Sequence, residues 1–354
     1  MRAVGVHIFA GGFTQGVKKH FDVDWHLETS DYGVETSKAN HPRLAVCTDP
    51  AVWPTRDHVG PVDFVYGNPP CAVWSRAGRA GRDFTQGYDP RDSRINCFLQ
   101  VFSRLRAYRP RVLVIESVCQ AATKGAPVIA QLAKEAAEMG YACTEAWHNA
   151  LDCGAPQDRR RVFFVFHDVA LPWRKPEEPG PRTVRAALTG LPTDPSPECM
   201  PPGKVKSLEL IQQTPEGGKL QDTHKALYGE TTWDPVKRKH VGRPGFLYRR
   251  LYWDRPSPTH TGGCTFVHPE EHRYITIRES LVLCGYPHDY AMVGKGTGFR
   301  NLADRYAQVA QAVTPPAGAW IASVAAAGIR EGKPVEVKKS VVDYIHGDKR
   351  QPRG

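Results

Sequence analysis

The chain has 354 residues, 41% hydrophobic and 24% charged, ordinary globular values for two domains of ~150 residues or one large domain with an insert. The 47 Lys+Arg against 37 Asp+Glu leave a net charge of +10, which suits a polyanionic partner without establishing one. No apolar run reaches the ~18 residues of a membrane span, and the N-terminus lacks the charged–apolar–small pattern of a signal peptide. The 9 cysteines stand singly, with no CxxC spacing, which argues against a disulfide framework or a zinc site and for a reducing cytoplasm.

Short apolar strands are expected at Val4–Phe9, Val23–Leu27, Leu44–Cys47, Asp63–Tyr66, Val112–Ile115, Ala142–Trp147 and Val162–Phe166, with helical stretches such as Ile95–Tyr108 and Val128–Met139 between them. That alternation indicates an α/β domain with a mainly parallel sheet and helices on both faces. Ligands of such sheets bind beyond the carboxyl ends of the strands. Near residue 170 the pattern breaks into Pro-, Gly- and Arg-rich sequence, including DPVKRKHVGRPG (234–245) and YRRLYWDRPSP (248–258). The expected organisation is a catalytic and cofactor domain over 1–170, a small irregular domain over 171–270, a segment 271–329 returning to the first domain, and a loose charged tail over 330–354.

The chemistry-bearing residues follow the strands. The first strand runs into Phe9-Ala10-Gly11-Gly12-Phe13, a glycine turn that lets backbone approach a ligand. A tight turn explains it equally well. The second strand ends at Glu28, suited to a ribose diol, and the third is followed by Asp49-Pro50, where a carboxylate can accept from an adenine amino group. Together they suit an adenosine-bearing cofactor. After the fourth strand, Gly67-Asn68-Pro69-Pro70-Cys71 holds a cysteine in a rigid loop at the ligand edge. Attack requires a thiolate, so nearby positive charge is expected to lower the Cys71 pKa. Glu116 closes the fifth strand and faces the same edge. Arg159 and Arg161 lie two apart, share a face if extended, and offer forked donors to a carbonyl or phosphate.

Together these motifs resemble the DNA cytosine-C5 methyltransferase family. Pro69-Pro70-Cys71 resembles its Pro-Cys loop, Glu116-Ser117-Val118 its Glu-Asn-Val motif, and Gln157-Asp158-Arg159-Arg160-Arg161 its Gln-x-Arg-x-Arg motif. Arg273-Tyr274-Ile275-Thr276-Ile277-Arg278-Glu279 resembles the Arg-x-Leu-Thr-x-Arg-Glu motif, LYWDRPSPT (251–259) the approach to it, and Gln311-Ala312-Val313 the Asn-x-Val segment. The resemblance implies a Rossmann-like S-adenosylmethionine-dependent methyltransferase fold with a smaller target-recognition domain. It implies S-adenosyl-L-methionine as cofactor, double-stranded DNA as partner, a base flipped out of the duplex and no metal. Cys71 would attack C6 of cytosine, Glu116 would hold the N3/N4 edge, Arg161 would bind O2, and Arg159 would support the loop and a phosphate. Cofactor contacts would come from Phe9, Ala10, Gly11, Gly12, Phe13, Glu28, Thr29, Asp49, Pro50, Gly67, Pro70, Cys97, Gln311, Ala312 and Val313. DNA contacts would come from Ser75, Gln157, Arg249, Arg250 and Arg278, with Lys204, Lys206, Lys237, Arg238, Lys239 and Arg243 as further phosphate partners. A monomer in the cytoplasm, at a bacterial nucleoid or in a phage-infected cell, is expected.

The sequence also departs from the family pattern. Its glycine loop is shorter than Phe-x-Gly-x-Gly-Gly, Thr29 stands where an aromatic is frequent, Ala72 replaces Gln, Ser117 replaces Asn, Cys97 replaces Leu, and Ala310-Gln311 replaces Gly-Asn. Several of these changes belong around the methionine end of the donor. An altered sulfonium donor such as carboxy-S-adenosyl-L-methionine therefore stands as an alternative. So do a catalytically silent DNA-binding protein and a tRNA cytosine methyltransferase, although the Cys-Phe-Thr element of the latter is not found.

Overall fold

The computed structural model describes residues 1–71, 74, 93–176, 180–192, 198–199, 205–229, 233–234, 239–240, 248–261, 266–295, 297–337 and 342–344. Their contacts divide the chain into two compact units. The first comprises Met1–Ala155, Arg159–Gly180 and Ala312–Gly354; the second comprises Pro156–Asp158 and Pro181–Gln311.

Runs of Val, Ile and Phe build the sheet of the first unit. Its strands are β1 (Arg2–Val6), β2 (Asp22–Leu27), β3 (Ala45–Cys47), β4 (Phe64–Gly67), β5 (Val112–Ser117) and β6 (Ala142–Asn149). After the two-residue β7 (Gln157–Asp158), which belongs to the second unit, comes β8 (Arg160–His167). An edge strand, Val342–Tyr344, within the tail expected to be loose, pairs parallel to β6. From that edge the order is Val342–Tyr344, β6, β8, β5, β4, β1, β2, β3. All pairs are parallel except those of β8, which runs antiparallel to both β5 and β6.

Strand residues alternate between two cores, as the period of two requires. Val65, Leu113, Ile115 and Phe164 face one core, with Phe98, Leu105 and Leu132 from the helices. Phe64, Tyr66, Val114 and Phe163 face the other, with Phe13, Val17 and Trp320. The helices here are α1 (Gly12–Val17), α2 (Asp31–Asn40), α3 (Arg56–Val59), α4 (Ser93–Tyr108), α5 (Ala126–Glu138) and the long C-terminal helix Pro315–Glu331. By length and composition, Arg300–Glu331 could cross a membrane. Its Pro315–Glu331 part instead packs on α1, where a Cβ on Gly16 would lie 2.3 Å from the Pro315 carbonyl oxygen. Only glycine permits that approach.

The second unit holds α6 (Val184–Leu188), α7 (Val205–Gln213), α8 (Leu220–Tyr228), α9 (Ile277–Leu283) and α10 (Gly298–Gln311), with short strand pairs between them. Thr276 and Glu279 form a reciprocal capping box at the start of α9. The Arg273 fork meets both Glu279 oxygens at 2.8 Å, so the Arg-x-x-Thr-x-x-Glu spacing is a local staple. The boundaries differ from expectation at both ends. Residues 171–180 belong to the first unit, where the Trp320 indole donates to the Arg174 carbonyl. Residues 271–311 belong to the second, because α10 packs on α9 and the Tyr306 hydroxyl donates to the Ile275 carbonyl. The chain returns to the first unit at Ala312.

Candidate active site

The carboxyl ends of β4 and β5 and the start of β8 bring together Cys71, Glu116 and Arg161. Glu116 is 2% exposed. Its Oε2 accepts from Asn68 Nδ2 at 2.7 Å, and Arg161 Nε lies 3.2 Å from Oε1. That ion pair is not aligned as a hydrogen bond, so among the described residues Oε1 remains a buried acceptor without a hydrogen-bond partner, as do Asn68 Oδ1 and Ser117 Oγ. Buried polar atoms in this condition are costly unless a ligand satisfies them. Burial raises the Glu116 pKa, while Arg161, Arg159 and Asn68 oppose the rise.

Cys71 is half-buried beside these groups. Its pKa is raised, contrary to the sequence expectation. Burial is the largest cause and the Glu116 charge adds to it, while Arg161 and Arg159 only partly offset them. The resting side chain is therefore a thiol that the two arginines help to ionise. The Trp74 N–H donates to the Cys71 carbonyl at 3.1 Å, and the Trp74 ring packs edge-on against Phe98 in the core.

Arg159 is 3% exposed, and its guanidinium donates to the Ala312 carbonyl at 3.1 Å. It secures the returning segment, and burial removes it from the phosphate contact expected of it. Asn149, which sequence reasoning missed, fixes this stretch through Oδ1, which accepts the Arg159 N–H at 3.0 Å. Asn68 was visible in the cysteine loop but had no role until its bond to Glu116. His148 stacks on Phe163 with ring centroids 4.3 Å apart. Burial, then the Arg161 charge, pulls its pKa down to about 3, so it stays neutral beside the arginines.

The cofactor residues gather around β1, β2 and β3. Positive φ at Phe9 (51°) and Gly11 (71°) turns the backbone between β1 and α1. Ala10, Gly12 and Phe13 are buried there. Glu28 is 1% exposed. Its Oε2 accepts from the Phe9 N–H at 2.8 Å. Its Oε1 accepts from the Thr29 N–H, the Ser30 N–H and the Ser30 hydroxyl. Oε1 thus takes three donors and Oε2 one; with about two lone pairs on each oxygen, only Oε2 keeps, among the described residues, a position for one hydroxyl rather than a pair. Asp49 is exposed and caps the short turn Pro50–Val52 through Oδ1, leaving its other oxygen open. Thr29 is exposed, with its hydroxyl 3.4 Å from His7 Nδ1. Cys97 is half-buried, and the Glu28 charge adds to the burial that raises its pKa. Gly67 is required by packing, since a Cβ would lie 2.6 Å from Val101. Pro70 is half-buried, Ala312 and Val313 are buried, and Gln311 is exposed at the end of the second unit. A glycine turn with acidic acceptors at the next two strand ends fits an adenosyl group.

Two expected DNA contacts are corrected. Gln157 is fully buried, and its amide donates to Cys284 Sγ at 3.2 Å inside the second unit. Arg250 is 3% exposed and its guanidinium is bonded to backbone carbonyls, including those of Thr214, His268 and Glu271. Arg278 is half-buried and donates to the Pro192 carbonyl at 3.2 Å, whereas Arg249 is half-buried beside Phe266 in a strand pair. Ser75 and the side chains of Lys204, Lys206, Lys237, Arg238, Lys239 and Arg243 lie outside the described residues.

A family model described as C-5 cytosine-specific DNA methylase matches residues 5–326. The chain belongs to this family. The Type II methyltransferase M1.HphI of Haemophilus parahaemolyticus is 26% identical to it over 306 residues, covering 81% of this chain and 77% of that protein. M.BbvI of Brevibacillus brevis is 28% identical over 322 residues, covering 85% and 80%. A putative DNA modification methyltransferase encoded within an E. coli prophage shares the fold, with a TM-score of 0.65 at 20% identity over 93% of this chain and 99% of that one. The methylase is thus a DNA cytosine-C5 methyltransferase, and its family implies use of S-adenosylmethionine.

Proposed function

We propose that this methylase modifies cytosine in double-stranded DNA through Cys71, with Glu116 and Arg161 gripping the base. The observation that carries the reading is the group itself: a thiol, a buried carboxyl and a guanidinium in mutual electrostatic contact, with unsatisfied acceptors around them. Ionised Cys71 bonds to C6, which gives C5 enamine character. Glu116, whose raised pKa favours the protonated form, donates to N3 and accepts from the N4 amino group through its other oxygen. Arg161 holds Glu116 at one edge and presents its remaining donors to O2. Glu28, Asp49 and the Phe9–Phe13 turn would hold S-adenosyl-L-methionine, whose sulfonium would supply an electrophilic methyl group to C5 and leave as the neutral thioether. A solvent-derived base then takes the C5 proton, the electron pair of that bond re-forms the C5–C6 double bond, and Cys71 leaves as thiolate.

Duplex DNA carrying 5-fluorocytosine, incubated with S-adenosyl-L-methionine, tests this, because after methyl transfer C5 bears fluorine where a removable proton would be, so Cys71 cannot be eliminated and the adduct is trapped. A covalent complex with the wild type and none with Cys71→Ala is expected. Full transfer activity in Cys71→Ala would refute the mechanism. Nucleoside mass spectrometry of modified DNA should give 5-methylcytosine; 5-carboxymethylcytosine would instead assign carboxy-S-adenosyl-L-methionine as the donor.

A further inference from the structure

The stretch Tyr252–Arg255, in the second unit, carries aromatic and cationic side chains that the catalytic chemistry does not use. Tyr252 is 40% exposed. Its ring lies against Gly217, whose φ is +73° and where a Cβ would fall 1.8 Å from Tyr252 Cζ. The Arg255 guanidinium sits over the same ring, 4.5 Å from its centroid. Alongside it, the Arg185 guanidinium lies over the Trp253 ring at 5.1 Å. Two cations thus lie over neighbouring aromatic faces.

Their electrostatic situations differ. Arg185 Nε and Nη2 grip both oxygens of Asp254, at 2.7 and 2.9 Å. Glu216 is engaged by the Trp253 N–H at 2.6 Å. The adjacent carboxylates are therefore taken by other donors. Arg255 is exposed, and among the described residues its guanidinium has no hydrogen bond or ion pair. Its backbone is nonetheless pinned. The Arg255 carbonyl accepts from the Val184 N–H at 2.9 Å, and the Trp253 carbonyl accepts from the Arg185 N–H at 2.8 Å. A planar fork of donors is thus held by its cation–π contact with Tyr252 and by a pinned backbone, with its hydrogen-bonding capacity unused among the described residues. Such a group binds an anion without a large ordering cost.

We propose that Arg255, positioned by Tyr252, is a backbone-phosphate contact of this methyltransferase. The proposal rests on duplex DNA being the substrate. A phosphate fits better than a base, because the unmet need of the guanidinium fork is for negative charge and, among the described residues, it has no hydrogen bond or ion pair. The contact adds affinity and register without reading sequence.

The test measures the affinity of the full-length protein for target and non-target duplexes across a salt series. Each neutralised phosphate contributes about 0.9 to the slope of log affinity against log salt. Arg255→Gln should lower the slope by about that amount and weaken both duplexes about ten-fold at ~50 mM salt, narrowing to about three-fold at ~200 mM. Arg255→Lys should keep the slope. Tyr252→Leu should keep it too but weaken binding about three-fold, and Tyr252→Phe should restore wild-type affinity. Unchanged affinity and slope in Arg255→Gln would overturn the proposal. So would a loss confined to the target duplex at constant slope, which marks base reading. Failure of the wild-type protein to bind any duplex would instead remove the DNA-substrate reading beneath it. Equal thermal midpoints for the variants and wild type exclude misfolding as the cause of a loss.

Discussion

Replacing Arg250 with methionine separates the two roles that the pair Arg249-Arg250 presents. The Arg250 guanidinium donates to the carbonyls of Thr214 at 2.8 Å, His268 at 2.7 Å and Glu271 at 2.8 Å, and also to that of Ile211. Ile211 and Thr214 lie at the end of α7, where the last carbonyls of a helix have no partner of their own. The arginine thus caps α7 and ties it to the 268–271 loop. Methionine fills a similar volume but leaves these acceptors unmet. At about 1 kcal/mol for each, the loss is about 4 kcal/mol, of which about 1 returns because a charge is no longer buried. A net loss of about 3 kcal/mol lowers the melting midpoint of a unit this size by about 10 °C. Scanning calorimetry on Arg250→Met reads the shift, with Arg249→Met as the companion expected to move it little. The salt dependence of DNA binding should stay at the wild-type slope in Arg250→Met wherever the protein is folded. A midpoint within about 2 °C of wild type, together with a slope reduced by about one, would refute the reasoning and return Arg250 to the DNA.

Further outcomes follow from the same geometry. Burial holds the Cys71 pKa above the ordinary cysteine value, so alkylation by iodoacetamide, read on the Cys71 peptide, should accelerate only at high pH; Arg161→Gln should push the profile higher still, and a downward move would contradict the assigned electrostatics. His26 and His41 are pulled down to about 3 and about 4, each mainly by burial, and His41 Nδ1 lies 3.2 Å from Lys18 Nζ. Both are neutral in the folded and unfolded chain above pH ~6.5; below it the unfolded chain takes up protons that the folded one refuses. Stability should therefore fall from pH ~6.5 downward, by about 2 kcal/mol per histidine at pH ~5, and urea midpoints that stay flat from pH ~7 to ~5 would refute this. Gly16→Ala forces a Cβ to 2.3 Å from the Pro315 oxygen and 2.4 Å from the Ala319 nitrogen. It should cost about 2–3 kcal/mol, and an unchanged thermal midpoint would deny the close packing of α1 on the C-terminal helix.

The proposed catalytic group was legible because its residues sit at strand ends, where periodicity locates them. Val112–Ile115 alternates between cores as a buried strand must, and its next residue, Glu116, emerges at the ligand edge whatever the rest of the chain does. The same logic places Glu28 and Cys71. It fails for groups whose role is to satisfy buried backbone. Nothing in YRRLYW distinguishes Arg249 from Arg250; the difference arises because Arg250 meets the end of α7 from a distant part of the chain. Gln157 reads as a surface amide in a basic run, yet it is buried beside Cys284.

By itself, the sequence determined the α/β class, the strand order along the chain, the candidate nucleophile Cys71, and a net positive charge suited to DNA. These depend on local periodicity and short motifs, which are properties of neighbouring residues. Only the tertiary structure decided the charge state of Cys71, the division of Glu28 between its own loop and one outside hydroxyl, and which arginines are free to meet an anion. Each depends on desolvation and on partners brought from elsewhere in the chain, and burial is a property of the packed fold rather than of any segment.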